Sequence, residues 1–173
     1  MALINRHIHY LLLCSLIILA GCSDKKQVPP GLPAPQAFKP DSGFMLIATG
    51  INYDVIVRPP AESDPWESER VRGYNGPVLI ESIFEKVYSG TMTAYDIATG
   101  TPLSTQSVRS LERDMGTDRS QVSKLQFTED WYYNASTGEI KKVVRSLALG
   151  YDYIDSQGRM FGYKALFMIV PGE

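Results

Sequence analysis

VSKLQFTEDWYYNASTGEIKKVVRSLALGYDYIDSQGRMFGYKALFMIV, residues Val122 to Val170, is the stretch that decides the fold. Its three runs, Val122 to Tyr133, Ile140 to Ile154 and Met160 to Val170, are rich in β-branched and aromatic residues. They are separated by Asn134-Ala135-Ser136-Thr137-Gly138 and by Asp155-Ser156-Gln157-Gly158, both made of turn formers. Strand-like runs bounded by such clusters predict an antiparallel three-strand meander.

Upstream, Phe44 to Arg58 is another β-rich run. Ile51, Tyr53, Val55 and Val57 alternate with Asn52, Asp54 and Ile56, the period of a half-buried strand. Pro59-Pro60 stops it. Ala61 to Gly76 is polar and reads as a long loop around Trp66, with a short helix over Trp66 to Val71 as the alternative. Pro77 to Tyr88 predicts a helix. Asn75 or Gly76 can cap it, Pro77 suits its first turn, and Leu79, Ile80, Ile83, Phe84, Val87 and Tyr88 fall on one stripe. Gly90 supplies a left-handed stop. Asp96 to Gly100 reads as a turn. Ser104 or Thr105 caps a second helix with Val108, Leu111 and Met115 on one face, and Gly116 ends it. The sum is an α+β domain: a mostly antiparallel sheet, the C-terminal meander plus the N-terminal strand, with two helices packed on one face.

The first 21 residues read as a lipoprotein signal peptide. Arg6 provides a positive start, the apolar run Tyr10 to Ala20 is too short to span a bilayer, and Leu19-Ala20-Gly21-Cys22 matches a bacterial lipobox. Cys22 is then the lipidation site, and its two or three acyl chains anchor the protein stably in membrane lipid. Ser23 in the next position points to the outer membrane, facing the periplasm. Residues 22–41 hold the acylated cysteine and a tether in which five prolines disfavour helix and sheet alike. Residues 42–173 are read as a single domain.

Composition narrows the chemistry. A formal net charge of -2, with acidic and basic residues scattered, leaves no basic stripe for nucleic acid. His7, His9 and Cys14 all precede Cys22, so the mature chain has no histidine and no second cysteine. That excludes histidine-based triads, metal sites built on His or Cys, and an intramolecular disulfide. No cofactor loop is recognisable. Tyrosines with Trp66 and Trp131 could stack sugars, but their placement within strands favours packing.

Glu129-Asp130 is the remaining constellation. Neighbours on a strand point to opposite faces, so the two cannot share one site as a dyad. Period-2 counting puts Glu129 with Leu125, Phe127 and Trp131, and Arg145 with Val143, Leu147 and Leu149 on the next strand. A buried carboxylate needs a partner. The spacing about the Asn134 turn therefore predicts a structural Glu129–Arg145 ion pair rather than an active-site acid.

The order of segments resembles the C-terminal domain of the GldN/PorN family of gliding-motility and type IX secretion components. The pieces are the helix-to-turn run PVLIESIFEKVYSGTMTAYD from Pro77 to Asp96, then FTEDWYY from Phe127 to Tyr133, a strand bearing Arg145, and the closing ALFMIVP from Ala165 to Pro171. The resemblance covers roughly residues 74–171, here in a chain that carries a lipidation cysteine. It implies a non-catalytic, periplasmic assembly role, with protein partners such as GldK/PorK and GldM/PorM. Two other readings stand beside it: an envelope lipoprotein that binds glycan or peptide, and a carboxylate-based hydrolase. An assembly protein should present an open sheet edge or one-sided apolar surface; a binding module, a tyrosine-lined pocket; a hydrolase, two carboxylates across a cleft.

Overall fold

The computed structural model describes residues 43–59 and 64–172. Cys22, the expected signal peptide over residues 1–21 and the expected tether over residues 22–41 lie outside the described residues. Five strands form one antiparallel sheet: β1 (Phe44–Ile56), β2 (Ala94–Tyr95), β3 (Val122–Asn134), β4 (Glu139–Ile154) and β5 (Met160–Ile169). Their spatial order is β1-β3-β4-β5-β2. Among the described residues three α-helices, α1 (Pro65–Arg70), α2 (Gly76–Ser89) and α3 (Thr105–Met115), and a single 3-10 turn, Arg119–Gln121, accompany them. The α+β architecture with a mostly antiparallel sheet is the one the sequence predicts.

Local chemistry sets the helix ends. The Asn75 side chain accepts from the Val78 N–H at the start of α2, Pro77 occupies the first turn, and Gly90 closes the helix at φ 75°. Ser104 Oγ accepts from the Ser107 N–H at 3.1 Å to open α3, and Gly116 closes it at φ 103°. The hairpin turns are equally local. Asn134 Oδ1 accepts from the Ser136 and Thr137 N–H groups, and Asp155 Oδ1 from those of Gln157 and Arg159.

Two elements depart from the main reading. The polar stretch before α2 contains the short α1, with Asp64 Oδ1 accepting from the Trp66 N–H at 2.9 Å. This helix buries none of its own residues, so it has no apolar stripe to betray it. The two-residue β2 pairs with Met168 and Ile169 and is too short to show a period.

The core lies between α2, α3 and one face of the sheet. Ile80, Ile83, Phe84 and Val87 from α2 and Val108 and Met115 from α3 meet Leu125, Leu147, Leu149, Phe167 and Ile169. Phe84 and Phe167 are both fully buried and meet edge to face, with centroids 5.3 Å apart. Each such buried side chain contributes about 1.5–3 kcal/mol. The Arg119 guanidinium lies over the Phe84 ring and pairs with Glu81 and Glu112, tying α2 to α3. No described helix is long and apolar enough to cross a membrane.

The helix-packed core stops at Phe127 on β3 and at Leu147 on β4. β5 joins β4 only from Leu147 onward. Beyond that line β3 and β4 continue together with β1 as a three-stranded extension, and the residues singled out by the sequence lie on it.

Candidate functional site

The ladder between β3 and β4 slips at the base of this extension. Thr128 lies opposite Ser146 and Glu129 opposite Val144, so Arg145 has no partner residue and forms a β-bulge. The bulge interrupts the alternation on which face-counting depends, and Arg145 reaches the opposite face from the one expected. Its Nη1 donates to Asp130 Oδ2 at 2.5 Å. The predicted Glu129–Arg145 pair is therefore incorrect: the partner of Arg145 is Asp130.

β1 is irregular at the same level. Ala48 lies opposite Trp131 and Ile51 opposite Glu129, so three steps on β1 match two on β3. The extra residue is accommodated by Gly50 at φ 64°, a conformation costly for any residue with a Cβ. Asp130 Oδ1 fills the gap in the ladder, accepting from the Thr49 hydroxyl at 2.8 Å and the Gly50 N–H at 3.0 Å. One carboxylate on the central strand thus holds bulges on both neighbours. Asp130 is only 3% exposed. Burial works to raise its pKa, but the Gly50 and Thr49 donors and the Arg145 charge outweigh it and hold the carboxyl below its ordinary value.

Glu129, on the other face and 5% exposed, is satisfied differently. Its two oxygens accept from the Tyr53 hydroxyl at 2.8 Å and the Trp131 indole N–H at 3.0 Å. Desolvation and then the bond to Glu129 push the Tyr53 phenol up to about 12. The aromatic faces beside it are occupied: Tyr53 stacks on Phe127 at 5.5 Å, and the Lys142 ammonium lies 4.3 Å from the Trp131 ring centre.

Around these buried carboxylates the rim is apolar. Met45, Leu46, Ile47 and Ile140 are each about half exposed or more. Among the described residues β1 has one hydrogen-bonded neighbour, β3, and its other edge faces outward. From Phe44 to Tyr53 it carries neither a charged residue nor a proline, two of the usual guards on an exposed edge.

Two clefts lie elsewhere among the described residues. One of about 360 Å³ between α2 and the turn before β3 is lined by Tyr74, Glu81, Asp118 and Arg119. Glu81 is paired with Arg119, and the Ser120 donors hold Asp118 below its ordinary pKa, the wrong direction for a general acid. Another, about 460 Å³, is bounded by Asp96 and mainly apolar or small residues such as Leu103, Leu111 and Leu166. Among the described residues no group of acidic side chains is arranged to hold a metal ion.

Sequence reasoning missed Asp130 as the centre of this arrangement, together with Thr49, Gly50 and Tyr53. The one available signal was Gly50, an isolated glycine inside a strand pattern, which marks a bulge. A scan against protein-family models finds no match, and a search of curated proteins finds none. The resemblance to the GldN/PorN family rests on the order of residue motifs alone.

Proposed function

We propose that the protein is a lipid-anchored, non-catalytic assembly component of the bacterial envelope, held at the outer membrane through Cys22 and working by protein contacts at the β1 edge. The observation that carries this reading is the outward edge of β1, uncharged from Phe44 to Tyr53 and flanked by exposed Met45, Leu46 and Ile47. Such an edge offers main-chain donors and acceptors to another strand while its side chains add apolar area. The two buried carboxylates support the same reading. Glu129 and Asp130 lie on opposite faces of β3 and each is saturated by protein donors, which suits scaffolding rather than proton transfer. Membership of a type IX secretion or gliding-motility apparatus, with GldK/PorK- and GldM/PorM-like partners, is part of the proposal on the strength of the motif order.

The test is made in the native membrane. Cys22→Ser should abolish palmitate labelling and release the protein from the membrane fraction. A photo-reactive residue at Ile47 in the anchored protein should cross-link to protein. Undiminished labelling of Cys22→Ser would remove the anchor from the proposal. A hydrolytic activity lost in Glu129→Gln with the fold intact would replace the assembly role with catalysis.

A further inference from the structure

We infer that Asn75 is a site of spontaneous covalent modification: the Gly76 backbone nitrogen displaces its side-chain amide, leaving aspartate or isoaspartate at the cap of α2. This chemistry is independent of the assembly role above.

Sequence and packing select the residue. The asparagines of the chain are Asn5, Asn52, Asn75 and Asn134, and Asn75 is the one followed by glycine. A glycine nitrogen approaches a neighbouring side chain freely, because no Cβ crowds it and its backbone is permissive. Asn52 precedes Tyr53 inside the ladder with β3, opposite Thr128. Asn134 is buried, and its Oδ1 already accepts from the Ser136 and Thr137 N–H groups. Asn75 is exposed. As the first residue of α2, Gly76 has an N–H with no intrahelical acceptor, so the nucleophile is not tied into the helix. Packing keeps the glycine in place: a Cβ at residue 76 would meet Tyr74 Cε1 at 2.7 Å.

The reaction balances with water alone. Hydroxide takes the Gly76 N–H proton, and the nitrogen attacks Asn75 Cγ. The new N–Cγ bond closes a succinimide ring, the Cγ–Nδ2 bond breaks, and Nδ2 leaves as ammonia after taking a proton from water. Water then adds to a ring carbonyl. Breaking the N–Cγ bond gives aspartate. Breaking the bond from nitrogen to the main-chain carbonyl carbon gives isoaspartate, with the chain rerouted through Cβ and Cγ. Aspartate caps a helix as well as asparagine does and places its charge at the favourable end. Isoaspartate adds an atom to the main chain ahead of Val78, whose N–H the Asn75 side chain holds, and so loses the cap.

The fold sets the rate. Asn75 has φ -101° and ψ 76°, which turns the Gly76 nitrogen away from the side chain, so ring closure waits for the first turn of α2 to open. Little resists that opening. The cap bond to the Val78 N–H is 3.4 Å long and the Leu79 N–H reaches the Asn75 carbonyl at 3.3 Å. Both exceed the usual range of about 2.7–3.2 Å. Pro77 brings no N–H, Val78 is 66% exposed, and the first buried residue of the helix is Ile80. A terminal turn held this weakly frays at little cost, while Ile80, Ile83, Phe84 and Val87 keep the rest of the helix in place.

The experiment uses the full chain, purified in detergent and aged in mildly alkaline buffer. Ion exchange separates the new acidic species, and peptide mapping by mass spectrometry locates the amide-to-acid change. Asn75 should convert at least about tenfold faster than Asn52 or Asn134, which lack a following glycine. Its conversion should slow at mildly acidic pH, where hydroxide is scarce, and quicken when urea unfolds the chain and removes the helical gate. Aspartate and isoaspartate should both appear, the former eluting with freshly prepared Asn75→Asp. Asn75→Ser keeps a capping oxygen but has no amide to lose, so the acidic species should vanish from that variant. The isoaspartate fraction should melt below the aspartate fraction in a thermal scan followed by circular dichroism. Conversion at Asn75 no faster than at Asn52 and Asn134 overturns the inference, as does an acidic species that forms equally in Asn75→Ser. Equal rates in the native and the urea-unfolded chain overturn the part given to the first turn of α2.

Discussion

Replacing Asp130 by Asn removes a charge and changes almost nothing else in shape, which makes it the sharpest probe of the three-strand clamp. Asn retains one acceptor oxygen, enough for the Thr49 hydroxyl and the Gly50 N–H, now as neutral rather than charge-assisted bonds. Its amide N–H₂ then faces the Arg145 guanidinium, donor against donor. A hydrogen bond to a charged group contributes about 1.5–3 kcal/mol. Arg145 is 35% exposed on its side chain and can turn to water, so its share belongs near the low end of that range. The expected loss is roughly 2–3 kcal/mol, which lowers the urea midpoint by on the order of 1 M with an unchanged slope. Arg145→Ala should lose less, about 1–2 kcal/mol, because Asp130 keeps two donors. Fluorescence of Trp131, next to the site, reports the transition. A double-mutant cycle should give a coupling of about 1–2 kcal/mol between Asp130 and Arg145, and a smaller one between Glu129 and Arg145. Acid adds a signed test. The folded Asp130 carboxyl titrates below its unfolded value, so its contribution is complete above the ordinary carboxylate pKa and fades as pH falls through the lowered one. The stability gap between wild type and Asp130→Asn should therefore narrow below about pH 4. Equal urea midpoints at neutral pH, or coupling of Arg145 to Glu129 instead, would refute the clamp.

Three further outcomes follow from the packing and the titrating groups. Phe84→Ala should cost about 3–5 kcal/mol in urea unfolding, because the ring is fully buried between α2, the sheet and Phe167, and its removal leaves a cavity. The phenols of Tyr53 and Tyr88, each pushed to about 12 by desolvation and then by a bond to Glu129 or Glu112, favour the protonated form in the folded state. Their contribution is therefore whole below the ordinary value of 10.0 and disappears as pH rises toward 12. Ultraviolet titration should show these two among the late phenols, and a Tyr53→Phe, Tyr88→Phe double variant should lose part of the alkaline destabilisation, since burial also raises Tyr74 and Tyr163. Gly50→Ala should destabilise by about 1 kcal/mol although nothing lies within 4 Å of the added Cβ, because the cost is the left-handed backbone itself. An unchanged thermal midpoint for that variant would argue against the β1 bulge.

The sequence by itself determined what neighbours along the chain decide. α2 and α3 begin at Asn75 and Ser104 and end at Gly90 and Gly116 because caps and left-handed glycines act within one helical turn. The hairpins at Asn134 and Asp155 are legible for the same reason: the side chain that makes each turn bonds N–H groups two to four residues away. Alternation correctly placed Ile51, Tyr53 and Val55 together, opposite Glu129, Phe127 and Leu125. Tertiary structure alone decided where that alternation breaks. The bulge at Arg145 is a property of the register between β3 and β4, and the one at Gly50 joins residues 80 apart in sequence. A one-residue slip moves a side chain to the other face of a sheet, and no count along a single strand can see it. That slip gives Arg145 to Asp130 and leaves Glu129 to Tyr53 and Trp131. The exposed β1 edge is likewise invisible in one dimension, because a strand is central or peripheral only by virtue of the neighbours that the rest of the chain supplies.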